Sequence, residues 1–472
     1  MQRSIVWSHF VEKCISLRNP WAFQQTMSQD AAEWERRGKP AARLYRGSQL
    51  AEARECAKRN MPSRNEAAFL RASLVRRRRY QASVITILLL LLSATGLASW
   101  FLLQPPPNLT LVTTLNDSGP GSLRQAVILA RPGSTITFDA SVRGSIILKS
   151  DDLNMTKNLT IRGPGAHLLT ISSGNSSHGV LVFREASVTI SDLTVALSGQ
   201  NFKSQGTTYH SKLSNYGTLS LTNSTVSGIT AAGGGNIFNA KGGTLTLTNS
   251  TVSGSSYGGI KNDGTLTLIN STISGNRTSG DGGGISNNTS GTLTITNSTI
   301  VGNTSGQRGG GLAVLGRQVD ITFCTIYGNT ATGDGGGLAI ENGHHKKPSQ
   351  VTMRNSLVAG NAAPIGPEIT GQLTSDGYNL IQDSSGVTFA DPLKQHRTNV
   401  SVQNLTDVKI DPLLRNNGGP TPTLALLPGS PAIDRIPLKA CLLNTIGTDQ
   451  RGVKRPQGAT CDIGAYEYEP SQ

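Results

Sequence analysis

A twelve-residue phrase recurs through the middle of the chain and constrains its fold more than any other feature. It reads GTLSLTNSTVSG from Gly217, GTLTLTNSTVSG from Gly243, GTLTLINSTISG from Gly264 and GTLTITNSTIVG from Gly291, with looser copies at FCTIYG (from Phe323) and NSLVAG (from Asn355). Anchored on the Asn position, the copies fall at 192 (an Asp), 223, 249, 270, 297, 323 and 355, steps of 31, 26, 21, 27, 26 and 32 residues. Within a copy, Leu219 and Leu221 share one parity while Thr218 and Ser220 take the other, as in a strand with one buried face. Val226 breaks that parity, so the chain must bend between Asn223 and Val226. A second glycine cluster, such as GGGI at 282–285 or GGGL at 309–312, precedes another short apolar strand.

Each repeat therefore supplies about three short strands and three corners. That content suits one turn of a three-sided coil better than a hairpin or a propeller blade. The predicted fold class is mainly β, a right-handed parallel β-helix with three-strand coils. Equivalent strands would stack about 4.8 Å apart, Leu over Leu and Val over Ile, in nine or ten coils. Asn223, Asn249, Asn270 and Asn297 would form an inward amide ladder at one corner, which accounts for the Asn-Ser-Thr triplets without glycosylation. Five per cent aromatic residues and 54 glycines agree with a stacked, many-cornered architecture rather than a compact α/β core.

The ends differ from the middle. Residues 1–80 hold 17 Lys/Arg against 7 Asp/Glu, and the rest of the chain 26 against 22, so the net charge of +14 belongs mostly to one end. After it comes an uncharged stretch from Ala82 to Leu103, ASVITILLLLLSATGLASWFLL. As a helix it would reach about 33 Å, enough for a hydrocarbon core of about 30 Å. Arg76, Arg77, Arg78 and Arg79 precede it and Pro105–Pro107 follow, which places the N-terminus in the cytoplasm and the long remainder outside. The expected organisation is a basic helical cytoplasmic segment (1–80), a transmembrane helix (82–103), a Pro-rich spacer (104–109), a cap with the first strands (110–150), the β-helix (151–400) and a closing region (401–472). Beside a membrane helix, the basic end points to a membrane rather than to nucleic acid. Cys441 and Cys461 lie twenty residues apart on the outer side, where a disulfide can form; Cys14 and Cys56 are cytoplasmic thiols and Cys324 a small strand side chain.

Flanking motifs add a resemblance. NDSGPGSLRQAVILARPGSTITFDASVRGSIIL (116–148) is similar to the opening segment of many bacterial β-helix proteins, with an amphipathic helix over Ser122–Ala130 that plugs the open end. DGYNLI (376–381), DPLLRNNGGPTPTLALLPGSPAID (411–434) and TDQRGVKRPQGATCDIGAYEYEP (448–470) resemble the closing region of the choice-of-anchor Q family, over about residues 110–470. The resemblance implies a β-helix displayed on a bacterial envelope and supplies no reaction. RGSQLAEA…NEAAFLRASLVRRRR (46–79) resembles the segment before the membrane helix in STAND-type signalling ATPases, without their ATPase module.

Several β-helix families cleave polysaccharides with carboxylates on the outer surface, so paired acids at matching places in successive coils are candidates here. Asp281 and Asp334 each sit in a G-D-G-G-G loop two repeats apart, with Arg308 at the matching place between them. They are the catalytic candidates and Arg308 the binding candidate, against the reading that Asp before Gly is ordinary turn chemistry. Glu341 with His344, His345, Lys346 and Lys347 reads as a solvated loop rather than a metal site. The expected function is a surface-displayed binding or structural module for polysaccharide, without cofactor or metal. The alternatives are a pectate-lyase-like or glycosidase-like enzyme, for which Ca²⁺ would enter, and a transmembrane sensor.

Overall fold

The computed structural model describes residues 20–103, 110–174, 178–197, 202–204, 207–209, 211–228, 235–341, 349–390, 394, 398–442 and 446–470, with the side chains of 20, 21, 94–103, 197, 202–204, 207–209, 211, 212, 235, 236 and 442 outside the description. Two compact units divide the chain, 1–107 and 108–472.

In the first unit, helices α1 (Pro20–Arg36), α2 (Gly47–Arg59) and α3 (Arg64–Leu103) follow one another. Residues 20–80 are more than a charged tether. Trp34 and Tyr45 both meet the ring of Phe69 edge-on, at 5.4 and 4.9 Å between centroids, with Met27, Ala31, Leu50 and Ala53 buried around them. Asp30 Oδ2 accepts a 2.6 Å hydrogen bond from the Tyr45 hydroxyl. A capping box starts α3: the Ser63 N–H donates to Glu66 Oε2 at 2.7 Å and the Glu66 N–H to Ser63 Oγ at 3.4 Å. Beyond Arg79 the helix turns apolar all round, and Ile87 through Leu92 are exposed in succession. Among the described residues no helix is long and apolar enough to cross a membrane.

The second unit is a right-handed parallel β-helix, with like residues on like at every rung. On the first face Leu219 pairs with Leu245, Leu245 with Leu266 and Leu266 with Leu293. Val226, Val252, Ile273 and Ile300 stack on the second face, and Ile237, Ile260, Ile285 and Leu312 on the third. The second face carries eleven strands, so the rod is about 48 Å long. Among the described strands only the hairpin Phe202–Ser204/Thr207–Tyr209, an insertion into one coil, is antiparallel. At the start, α4 (Leu123–Leu129) is capped by Ser122 Oγ and buries Leu123, Ala126 and Val127 in the same core as the strands.

The Asn ladder differs from the sequence expectation. Asp192, Asn223, Asn249, Asn270, Asn297, Phe323 and Asn355 are the corner residues, all left-handed with φ between 47° and 58°. That conformation swings the side chain out of the tube and brings the following residue in, a serine after each of the five asparagines. The amide ladder from Asn270 to Asn249 to Asn223 to Asp192, at 3.1–3.2 Å per step, therefore runs along the outside. Asn297 leaves it and donates to Thr448 O at 2.7 Å. The inward ladders belong to other asparagines. Asn215, Asn239, Asn262 and Asn287 link at 2.6–2.8 Å, and Asn276, Asn303, Asn329 and Asn361 at 2.9–3.0 Å, all of them buried. In the closing region, residues 402–442 and 446–470 run back along the outside of the second face. Thr299 Oγ1 donates to Gln450 Oε1 at 2.6 Å, and Thr325 Oγ1 accepts from the Ala465 N–H at 3.0 Å. Val301, Tyr327, Leu357 and Ala359 point outward there and bury against Val408, Leu424, Ile436 and Ile463. A disulfide joins Cys441 to Cys461 within this layer.

Candidate functional site

The closing layer covers the later rungs of the second face, and polar side chains gather at the corner between the third and first faces. Four successive coils carry glycine there, where the neighbouring coil passes too close for a side chain: a Cβ on Gly264 would meet Gly243 O at 2.2 Å, and one on Gly291 would meet Asn262 O at 2.7 Å. The buried asparagines hold the corner in, as where Asn262 Oδ1 accepts from the Gly264 N–H at 3.2 Å. A succession of side-chain-free turns leaves a trough running across four coils.

That trough encloses about 590 Å³ and is lined by Lys241, Asp263, Thr265, Ser290, Thr292 and Arg317, among others. Lys241 belongs to the first of the four coils and Arg317 to the last, three rung spacings or about 14 Å along the axis. Among the described residues neither cation has an ion-pair partner. Between them Asp263 is fixed by neighbours: Asn288 Nδ2 donates to its Oδ1 at 2.8 Å and Ser290 Oγ to its carbonyl at 2.7 Å. The Thr292 hydroxyl donates to Thr265 Oγ1 at 3.3 Å, starting a row of hydroxyls up the rim. Two free cations flanking fixed hydroxyls and one carboxylate suit a long polar ligand with negative charge.

The predicted trio does come together, in a different role. Arg308 Nη2 stands 3.1 Å from Asp281 Oδ2, the Arg308 N–H donates to Asp281 Oδ1 at 3.1 Å, and Nη1 lies 3.8 Å from Glu341 Oε1. The hydrogen bond to Asp281, then the charges of Asp281, Glu341 and Asp334, hold the guanidinium pKa above its ordinary value against partial burial. Asp334 Oδ2 accepts from the Thr370 hydroxyl at 3.3 Å. The cavity among Arg308, Asp334 and Glu341 is only about 10 Å³, room for about one water and none for a sugar ring. Ions that satisfy one another in a closed space stitch coils together. His344, His345, Lys346 and Lys347 lie outside the described residues. Among the described residues no three His, Cys, Asp or Glu side chains gather to hold a metal ion.

Sequence reasoning passed over the trough. Its signal was the glycine preceding each leucine strand, with Lys241, Asp263 and Arg317 changing beside it while the strands stayed constant.

Fold and trough together define a right-handed parallel β-helix with a polar channel along one corner. Residues 211–391 match the family described as right handed beta helix region. Among solved structures, the chain is similar to a pectate lyase, Pel9A, at 13% identity and a TM-score of 0.37, over 73% of this chain and 90% of that one. It is also similar to the ORF18 protein of Geobacillus virus E2, at 10% identity and a TM-score of 0.33, over 60% and 62%. No curated protein matches in sequence.

Proposed function

We propose that the protein is a membrane-anchored β-helix that displays its corner trough on a bacterial surface and binds an acidic polysaccharide there. The single observation that carries the ligand is the pair of unpartnered cations, Lys241 and Arg317, about 14 Å apart on a trough of glycine turns and hydroxyls. A site of that length takes several sugar units, and the two cations favour a polymer carrying carboxylates or sulfates. The envelope reading is supported by the succession of exposed apolar residues on α3 after four arginines, and by the flanking segments that resemble choice-of-anchor Q and STAND-type proteins.

The test uses the full chain, purified in detergent, on an array of neutral and acidic glycans with and without Ca²⁺. The expected result is retention on uronate or sulfate polymers with no new reducing or unsaturated ends. Release of such ends would replace this reading with the lyase or hydrolase alternative, and retention on neutral glycans alone would remove the role given to the cations. Carbonate extraction of membranes tests the anchor: the chain should stay in the pellet. The aromatic core of residues 20–80 favours a second role for that unit as a sensor's inner half, which affinity capture of a specific cytoplasmic protein would support.

A further inference from the structure

The first unit contains a cavity that the surface function does not use. It encloses about 800 Å³ where the start of α2 faces α3, with Arg46, Arg76 and Arg77 among its lining and no carboxylate. Its remaining wall is partly apolar, from Tyr45, Leu50 and Ala51, with Tyr80 at one side. Arg76 Nη1 is buried and has no hydrogen-bond partner. A guanidinium nitrogen left so is costly unless an acceptor from outside completes it. The N–H groups of Gly47, Ser48 and Gln49 open α2 with no carbonyl of their own helix to reach, and Arg46 supplies no side-chain cap. The cavity thus offers donors from three guanidiniums and a helix start, all calling for an anion with several oxygens.

Position selects among anions. Arg76 stands six residues before Ala82 on the same helix, about 9 Å along its axis, so the cavity lies at headgroup depth if the apolar stretch enters a bilayer. An inorganic phosphate would leave the apolar wall bare; a phosphodiester carrying a glycerol backbone would cover it.

We propose that this cavity binds the phosphate headgroup of an anionic phospholipid, through Arg46, Arg76 and Arg77. The site would tie the folded inner unit to the leaflet and set its height against the membrane. It rests on the membrane reading above.

The full chain in nonionic detergent is titrated with short-chain phosphatidylglycerol kept monomeric, so that binding is read whether or not the chain is anchored. Inorganic phosphate and short-chain phosphatidylcholine run in parallel. The anchoring reading is checked separately by carbonate extraction, and its failure leaves this titration readable. Arg76→Ala/Arg77→Ala should weaken phosphatidylglycerol about tenfold or more, whereas Arg78→Ala/Arg79→Ala, with the same loss of charge outside the cavity, should change it less than about twofold. Arg46→Ala, on an exposed loop, gives a second reading should the paired variant fold poorly. Equal losses in the two paired variants would reduce the effect to a basic run near a membrane and overturn the site. So would phosphate or phosphatidylcholine binding as tightly as phosphatidylglycerol, or no binding at all.

Discussion

Replacing Asn303 with alanine should damage the β-helix far more than replacing Asn249 with glycine, although both asparagines sit in amide ladders. Asn303 is buried, and its Nδ2 donates to Ile273 O at 3.0 Å and to Asn329 Oδ1 at 2.9 Å. Its Oδ1 accepts from both the N–H and the Nδ2 of Asn276, each at 3.0 Å. Truncation to alanine removes all four of these buried bonds at once, although Asn276 Nδ2 keeps Val252 O and Asn329 Oδ1 keeps the Asn303 N–H. At about 0.5–1.5 kcal/mol net for each of the four bonds lost, the loss is roughly 2–6 kcal/mol. The ladder of Asn249 faces outward, where water can replace lost amide bonds, and glycine accepts its φ of 51° without strain. There the loss is below about 1 kcal/mol. Hydrogen exchange read by mass spectrometry on peptides spanning 270–335 should accelerate at least about thirtyfold in Asn303→Ala, and less than about fivefold near residue 249 in Asn249→Gly. Comparable acceleration in the two variants would refute the division into inner and outer ladders.

Glu368 terminates the inner ladder by accepting from Asn361, and burial pushes its pKa up to about 7. An acid raised in the folded state binds its proton there more tightly, so its contribution to stability is full below about pH 4.3 and lost as pH rises through 7. Protection factors in the segment 359–370, corrected for the intrinsic base catalysis of exchange, should therefore fall between about pH 4.3 and 7, and Glu368→Gln should abolish that fall. In the closing layer, Arg455 and Glu467 are both fully buried, 2.7 Å apart, with the guanidinium 4.4 Å over Phe323. Arg455→Ala strands the carboxylate and should cost about 3–5 kcal/mol, read as new proteolytic cleavage within 401–470, whereas Glu467→Gln together with Arg455→Met should recover most of the resistance. Lys241→Ala and Arg317→Ala should each weaken retention on an acidic glycan about three- to tenfold and flatten its salt dependence; unchanged retention in the double variant would remove the trough as the binding site.

Much of this architecture was legible because one periodicity controls it. The parity of Leu219 and Leu221, broken before Val226, marks a corner from chain geometry alone, and the left-handed Asn223 occupies it. Direction was harder. Parity counting carries Asn223 inward, and only the positive φ turns it out and admits Ser224 in its place. The path of residues 402–442 and 446–470 was hidden for another reason: a parallel coil says nothing about which of its three outer faces will be covered. Yet a trace existed. On the second face the outward position after the central apolar residue runs Ser227, Ser253, Ser274 and then Val301, Tyr327, Ala359, a change to apolar side chains where the closing layer lies down. In residues 20–80, Trp34, Tyr45 and Phe69 are too far apart in sequence for a periodic pattern to announce that they share one core.

These misses share a cause that bears on where function resides in such a rod. A stacked coil is held by what repeats, since Leu on Leu and amide on amide stabilise every rung alike. A residue that departs from the repeat gains nothing from the stack, so its identity answers to something outside it. Val301 and Tyr327 answer to the closing layer and Arg308 to Asp281 and Glu341, and each is accounted for once its partner is found. Lys241 and Arg317 also depart from their neighbours at the same turn, Asp263 and Ser290, but meet no partner within the described structure. A turn needs only glycine and a small polar residue. Two long cations at its ends, where a hydroxyl or an amide would have closed the corner as well, are the part of the coil that folding leaves unexplained and a ligand would explain.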